Sequence, residues 1–481
     1  MTVCHQLVEE LAPWSFDAVI HTSALVKANG QCLYRFIGFW TMSVCRFKVA
    51  TMAFAVKTGE GLMMISFGKS FTSSAVRIIS AFLFVTIVTS GCLASRDSLE
   101  ADAGKGEEVS AASTTQAIEK RISVARRVPA EWEAQEAIWL QWPGRYEKEH
   151  EDSFAEMSMV IARYQKLYIL HDSNGIRDDA RKAISKAGGN PDHNNIVWLP
   201  IRNNSAWMRD NGPVFIVEEG EMRIQNWEFD AWGGAFGSDI PYGRDNRVPK
   251  AVGLYLDLPV DLVGIVHERG NLEFNGVDTV MLNWSTIGDR HRNPGYTRAQ
   301  AEADLKYYFG VSRVVFIEGY SQYDKTKGHI DGIARFINPT TVVVVQCTSG
   351  SKCKPDDGKK GSVFEAAAKA ISAAGFTVIR EPIEGTSRRF VSERTSSRGY
   401  KFDTNYMNWI VGNGFVIAVG FDNAETDAAA KSRLESYFPG RDVHMIEMLR
   451  SWAAGGGAHC HTNDQPAVST ITFNPESYSD G

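Results

Sequence analysis

Cysteine is scarce in this 481-residue chain, with 7 in all. Cys4, Cys32, Cys45 and Cys92 fall near the N-terminus, so only Cys347, Cys353 and Cys460 remain for the rest. That excludes a scaffold stapled by many disulfides. The His and Cys residues do not stand at zinc-ligand spacing, so no metal is implied. Positive charge is not in excess either. With 51 Lys+Arg against 57 Asp+Glu the net charge is −6, which removes any general electrostatic reason to bind nucleic acid. Convincing internal repeats are absent, although a strand-strand-helix-strand rhythm recurs about every 60 to 80 residues. What is present is 44% hydrophobic and 22% charged residues, a balance that can bury a large core. Length alone suggests two or three domains of roughly 100 to 200 residues.

The chain is uneven. Residues 1–92 hold 7 basic and 4 acidic side chains, which leaves 44 against 53 beyond them. Within this part, 63–92 reads as an export signal: Lys69 and Arg77 precede an apolar run, IISAFLFVTIV at 78–88, too short to span a bilayer. The run ends in Thr-Ser-Gly-Cys at 89–92, which resembles a bacterial lipobox apart from Thr89, where an aliphatic residue is usual. Cys92 would then be a lipid anchor, and the protein an exported, periplasmic or membrane-anchored one; without a working signal it would stay cytoplasmic. Residues 1–62 show no clear periodicity and are expected to be a misassigned or unstructured extension, with translation starting at Met63 or Met64. Residues 93–125, rich in Ala, Ser, Glu and Gly, cannot offset their ordering entropy and read as a tether.

From 126 to 481 short strands alternate with amphipathic helices, which predicts an α/β domain. Helices are expected near 153–164, 178–187, 298–308, 362–374 and 424–437. Strands are expected near 137–142, 166–170, 196–200, 214–217, 223–228, 279–283, 313–317, 333–337, 341–347, 377–380, 406–411, 415–419 and 443–446. Cys347 and Cys353 stand six apart across a turn, and spacing leaves both a disulfide and two thiols open.

Four segments carry chemistry-bearing side chains. Cys460 lies in AAGGGAHCHTNDQP (453–466), between three glycines and a polar stretch and flanked by His459 and His461, a setting that suits a reactive thiol as well as a turn. In KGHID (327–331), His329 and Asp331 are two apart, so an extended backbone would put both on one face as an acid-base pair or a structural one. WMRDNGP (207–213) and ERGNLE (268–273) each place charged residues just before a strand, where plain turn chemistry would explain them equally.

Taken together these segments resemble one family. WMRDNGP, FDAWGG (229–234), HERGNLEFNG (267–276), RNPG (292–295), KGHIDGIARF (327–336) and GGGAHC (455–460) follow RRVPAEWEAQEAIWLQWP in the order found in agmatine deiminases and the bacterial, Porphyromonas-type peptidylarginine deiminases. The resemblance covers 126–466. It implies the guanidine-modifying superfamily, a five-bladed α/β propeller in a single catalytic domain, and hydrolysis of a guanidinium to a ureido group and ammonia without a cofactor.

By that resemblance Cys460 is the nucleophile, His329 the acid-base group, Asp210 and Asp331 the carboxylates that grip the guanidinium, and Glu268 the partner that orients and charges His329. Trp207 and Trp232 would wall the substrate, and Asn408 would sit near it. The chemistry suits the residue types: a planar cation matches bidentate carboxylates, and its carbon needs a strong nucleophile. FDAWGG and the lack of an Arg pair in the segment after it favour agmatine; the export signal favours peptidyl-arginine. Two other classes fit parts of the pattern. A papain-like Cys-His-Asp hydrolase gives no role to Asp210 or Glu268, and a non-catalytic surface lipoprotein would bind cationic ligands without releasing ammonia.

Overall fold

The structure, a computed structural model, describes residues 126–468 apart from 145, 321–323, 325, 349–359, 392–398 and 400, together with four short strands nearer the N-terminus. Those four lie in a separate unit, residues 1–107, where Lys27–Ala28 pairs antiparallel with Gln31–Cys32 and Met52–Thr58 with Gly61–Phe67. The apolar run 78–88, Cys92 and the tether 93–125 lie outside the described residues.

From residue 126 onward the protein is mixed α/β, built of five small sheets. Each is made the same way. An antiparallel pair comes first: Val214–Glu218 with Glu221–Glu228, Glu273–Phe274 with Thr279–Asn283, Ala334–Asn338 with Thr341–Cys347, and Ile410–Gly412 with Phe415–Gly420. A helix then carries the chain to a third strand parallel to the second, since parallel neighbours need a long crossover. These third strands are Val260–Val266, Arg313–Ile317, Thr377–Ile383 and Asp442–Glu447. The crossover helices are Val248–Leu256, Arg298–Phe309, Lys360–Ala373 and Ala424–Tyr437.

The fifth sheet joins both ends of the domain. Its antiparallel pair is Thr462–Pro466 with Gln135–Gln141, and helix Glu151–Tyr164 leads on to the parallel strands Lys166–Leu170 and Ile196–Leu199. Thus the rhythm seen in the sequence is a repeat of shape, not of residues.

Local chemistry explains the element ends. Helix Arg298–Phe309 starts with a capping box, in which Thr297 accepts from the Gln300 backbone and Gln300 reaches back, and it stops at Gly310 with φ 67°. The core includes Val342, Val343, Val344 and Val345, all fully buried, each stabilising by roughly 1.5 to 3 kcal/mol relative to exposure.

Three expectations change. The strand expected at 406–411 is only Ile410–Gly412, because the buried residues before it turn to present Asn408. The helix Val248–Leu256 was hidden by Pro249 and Gly253, yet Pro suits a first turn, and a Cβ on Gly253 would meet Val260 at 2.2 Å. Thr462–Pro466, a polar stretch in the sequence, is a buried strand whose polar side chains reach distant partners: Asn463 donates to the Pro213 carbonyl, Asp464 pairs with Arg209 and Arg269, and Gln465 accepts from Trp139. Cys347 is disulfide-bonded, and Cys353, the candidate that spacing leaves open, lies outside the described residues.

Candidate active site

Each of the five sheets delivers site residues from the segment just before its first strand. Asp210 precedes Val214–Glu218, Glu268 precedes Glu273–Phe274, His329 and Asp331 precede Ala334–Asn338, Asn408 precedes Ile410–Gly412, and Cys460 precedes Thr462–Pro466. All are buried, as are Trp207 and Trp232.

Cys460 lies in the short turn Ala458–His461. The glycines before it are required by close approach: a Cβ on Gly456 would stand 2.6 Å from Cys460 Sγ and 2.8 Å from Trp207, and one on Gly457 would meet Val419 at 2.2 Å. Asn408 organises this turn. Its Oδ1 accepts from the backbone N–H of Gly457 at 2.9 Å and of His459 at 3.1 Å, while Nδ2 donates to Sγ at 3.2 Å and to Asp331 Oδ2 at 3.1 Å. The thiol itself points at Asp331 Oδ2, 3.5 Å away. Burial, followed by the Asp331 and Asp210 carboxylates, pushes the thiol well above its ordinary range; the Asn408 amide opposes them.

His329 and Asp331 do not share one face of a strand, as an extended segment would require. The turn Ile330–Gly332 intervenes and sends them to different partners. Asp331 Oδ2 lies 2.8 Å from His459 Nδ1 and accepts from Asn408. His329 stands between Asp210, with Nδ1 3.5 Å from Oδ1, and Glu268, with Nε2 3.4 Å from Oε2. Burial alone would lower its pKa, but the carboxylates of Asp210, Glu268 and Asp331 outweigh that and raise it to about 9. Asp210 in turn is pushed up to about 7 by burial, against the pull of His329.

Glu268 is held down at about 2 although fully buried, chiefly because Arg292 lies against both of its oxygens at 2.9 and 3.1 Å. Arg292, first residue of the RNPG segment, is a site component that the sequence reading left without a role. So is Gly270: a Cβ there would lie 2.6 Å from both Asp210 Oδ1 and His329 Nδ1, so only glycine lets that pair form.

The apolar side of the cluster contains Trp207, Phe229, Ala231, Trp232 and Cys460. Trp207 stacks on His461 with centroids 4.3 Å apart and meets Trp232 edge-on at 6.4 Å. Trp232 donates Nε1 to Asp210 Oδ2 at 2.8 Å. Its backbone is unusual, since Ala231 and Trp232 both adopt left-handed φ, 61° and 60°. Such residues cost of order 1 to 3 kcal/mol each and persist where the surroundings hold them. Here Asp230 Oδ1 caps the turn by accepting from the Gly233 N–H at 2.7 Å.

The chain is similar to known proteins over nearly all of this domain. A family profile described as Porphyromonas-type peptidyl-arginine deiminase matches residues 127–466. An agmatine deiminase of Pseudomonas putida is 28% identical over 361 residues, covering 71% of this chain and 95% of that protein. Among solved structures, the agmatine deiminase of Enterococcus faecalis superposes with a TM-score of 0.62 at 23% identity, covering 72% of this chain and 98% of that one. The C. jejuni agmatine deiminase gives 0.58 at 21% identity over 71% and 96%. The chain belongs to the Porphyromonas-type peptidyl-arginine deiminase family, hydrolases that act on carbon–nitrogen bonds.

Proposed function

We propose that the protein is a guanidine deiminase that converts agmatine to N-carbamoylputrescine and ammonia. The observation that carries this reading is a buried thiol 3.5 Å from Asp331 Oδ2 and acted on by the Asp210 carboxylate, which in turn stands 3.5 Å from His329, whose pKa is raised to about 9. Two carboxylates suit a guanidinium's fork of N–H donors. They also hold the free thiol protonated, so an arriving cation that neutralises them makes the thiolate easier to form.

The thiol gives up its proton to solvent, to be regained when the C–S bond breaks, and the thiolate then attacks the central guanidinium carbon. A C–S bond forms, a C–N bond breaks, and His329 gives its proton to the departing ammonia. Neutral His329 next takes a proton from water, whose oxygen attacks the same carbon; the C–S bond breaks and the ureido product leaves. Glu268, fixed by Arg292, keeps His329 charged between turnovers. Trp207 and Trp232 close the apolar side and shield the thiouronium. Supporting a common axis for these residues, we further infer that the five alike sheets are blades of one propeller.

Agmatine is favoured by FDAWGG, whose Trp232 lines the site, and by the agmatine deiminases among its relatives. The second reading, an exported peptidylarginine deiminase anchored through Cys92, is favoured by the export signal at 63–92 and by the description of the matching family. Ammonia and ureido product should be assayed with agmatine, free arginine and a peptide ending in Arg. Turnover of agmatine by wild type, abolished in Cys460→Ala, is the expected result. Turnover of the peptide alone selects the second reading, and equal activity in wild type and Cys460→Ala sinks the nucleophile assignment.

A further inference from the structure

The two tryptophans that wall the site come from different segments, Trp207 from the chain after the strand Ile196–Leu199 and Trp232 from the turn after Glu221–Glu228. Their rings meet edge-on at 6.4 Å, and Trp232 reaches across to Asp210, so the slot between them depends on what ties the two segments together. Three consecutive residues do this. They are Arg244, Asp245 and Asn246, which have no part in the reaction described above.

Asp245 holds the first segment. It is only 1% exposed, and a carboxylate is costly to bury unless donors converge on it. Here Oδ1 accepts from the backbone N–H of Asn204 at 2.7 Å and of Ser205 at 3.3 Å, and Oδ2 accepts from the Ser205 hydroxyl at 2.8 Å. The same hydroxyl oxygen accepts from Asn211 Nδ2 at 3.3 Å, which links the carboxylate to the turn Met208–Asn211 that carries Asp210. The Arg244 N–H adds a further tie by donating to Asn204 Oδ1 at 2.9 Å.

Asn246 holds the second segment. Its Oδ1 accepts from the Phe229 N–H at 2.8 Å, and its Nδ2 donates to Glu228 Oε2 at 2.7 Å. Phe229 in turn meets Trp232 edge-on, with centroids 5.0 Å apart. The triplet is itself fixed: the Asn246 N–H donates to the Tyr242 carbonyl, and the helix Val248–Leu256 follows at once, with Val248 and Val252 fully buried.

We propose that Asp245 and Asn246 are positioning residues that set the substrate slot of the deiminase, Asp245 by fixing the segment with Trp207 and Asp210, and Asn246 by fixing the segment with Phe229 and Trp232. This rests on the guanidinium site described above. The partners of the clasp belong to the walls of the slot and not to the thiol or its proton donor, so it governs how tightly the guanidinium is held more than how fast it reacts.

Three variants separate this from a packing role. Asp245→Ala strips two backbone N–H groups of their acceptor, whereas Asp245→Asn keeps an oxygen for them. KM is measured with agmatine, or with the peptide ending in Arg where the wild type turns over that one. We expect Asp245→Ala to raise KM by about 10- to 100-fold with kcat held within about 3-fold, the scale of a small misplacement of binding groups. Asn246→Ala, at a half-buried position, should raise it by about 3- to 10-fold, the worth of one hydrogen bond. Asp245→Asn should stay within about 5-fold of wild type. A loss confined to kcat or to the yield of folded enzyme overturns the proposal, and so does an Asn variant no better than Ala. Should Asp245→Ala fail to fold, Asn246→Ala decides by the same measure of KM.

A second measurement needs no turnover. The Trp232 indole N–H is held by Asp210, and in Asn246→Ala it should exchange with solvent deuterium at least about 10-fold faster than in wild type. The indole N–H of Trp139, held by Gln465 in another sheet, should keep its wild-type rate. Equal acceleration of both, or of neither, overturns the proposal. A wild type that releases ammonia from no guanidine would instead sink the deiminase reading, while the two indole rates still report on the clasp.

Discussion

Two histidines of this site each stand between two carboxylates, and they are pushed in opposite directions. His329 lies between Asp210 and Glu268 and is raised to about 9. His459 lies between Asp331 and Glu131, with shorter contacts, and is lowered to about 4. Burial penalises the charged form of both. The difference is the guanidinium groups beside His459: Arg335 and Arg269 oppose its charge, whereas the groups that act most on His329 are all carboxylates. Arg292, the cation of this part of the site, is engaged by both oxygens of Glu268. A pair of carboxylates therefore does not determine an imidazole's charge; the cations that neutralise them do. The result is a contrast of charge, with one imidazole able to give a proton to ammonia and the other held neutral.

That contrast can be broken most severely at His329. Replacing it by Asn removes the proton donor while keeping a polar group, and kcat should fall by about 10² to 10⁴-fold, the usual worth of general acid-base catalysis. The drop should be seen in ammonia release under saturating substrate. A loss no larger than that of His459→Asn would mean that the two imidazoles are interchangeable and the contrast is empty.

A subtler break comes from Gly270→Ala. The new methyl would press on both Asp210 Oδ1 and His329 Nδ1, each 2.6 Å away, and part them without touching Cys460 or His459. With Asp210 displaced, the charge on His329 loses its largest support. We expect a loss of about 10- to 100-fold in kcat/KM, the scale of a small misplacement of reacting groups. The alkaline limb of the pH profile should move below its wild-type position. An unmoved limb would show that Asp210 does not set the charge of His329.

The sequence reading reached the two halves of this contrast unequally, for a physical reason. Asp210, Glu268, His329, Asp331 and Cys460 stand in short motifs, where close backbone approach dictates glycines and turn residues that are visible as strings of letters. Glu131 and His459 are 328 residues apart, and nothing local to either announces the other. His459 was noted only as an imidazole near the thiol, and Glu131 only as part of PAEWE. The same limit explains the hidden strand Thr462–Pro466: a run of Thr, Asn, Asp and Gln is polar by composition, and only distant partners make it fit to be buried. Conversely, Arg298–Phe309 and Ala424–Tyr437 are legible because their caps, Thr297 with Gly310 and Asn423, lie next to the elements they bound.

The mildest test of the contrast uses stability instead of activity. His329 has its pKa raised from about 6.5 to about 9, so its contribution is fully present below the lower value and is lost as pH rises through the higher one. His459 is lowered from 6.5 to about 4, so its contribution is present above 6.5 and is lost as pH falls toward 4. Each is worth at most about 3 kcal/mol, from 1.36 kcal/mol per unit, before the coupled carboxylates take their share. Asp210, raised to about 7, adds a loss as pH rises toward neutrality that wild type and His459→Asn share, so the windows to compare are 7 to 9 for His329 and, as the difference between variant and wild type, 4 to 6.5 for His459. Melting temperatures measured across pH 4 to 9 should therefore fall less steeply above neutrality in His329→Asn than in wild type. In His459→Asn they should fall less steeply, or rise, on acidification. If both variants flatten the same limb, the opposite charging of the two rings is wrong, whatever their effects on turnover.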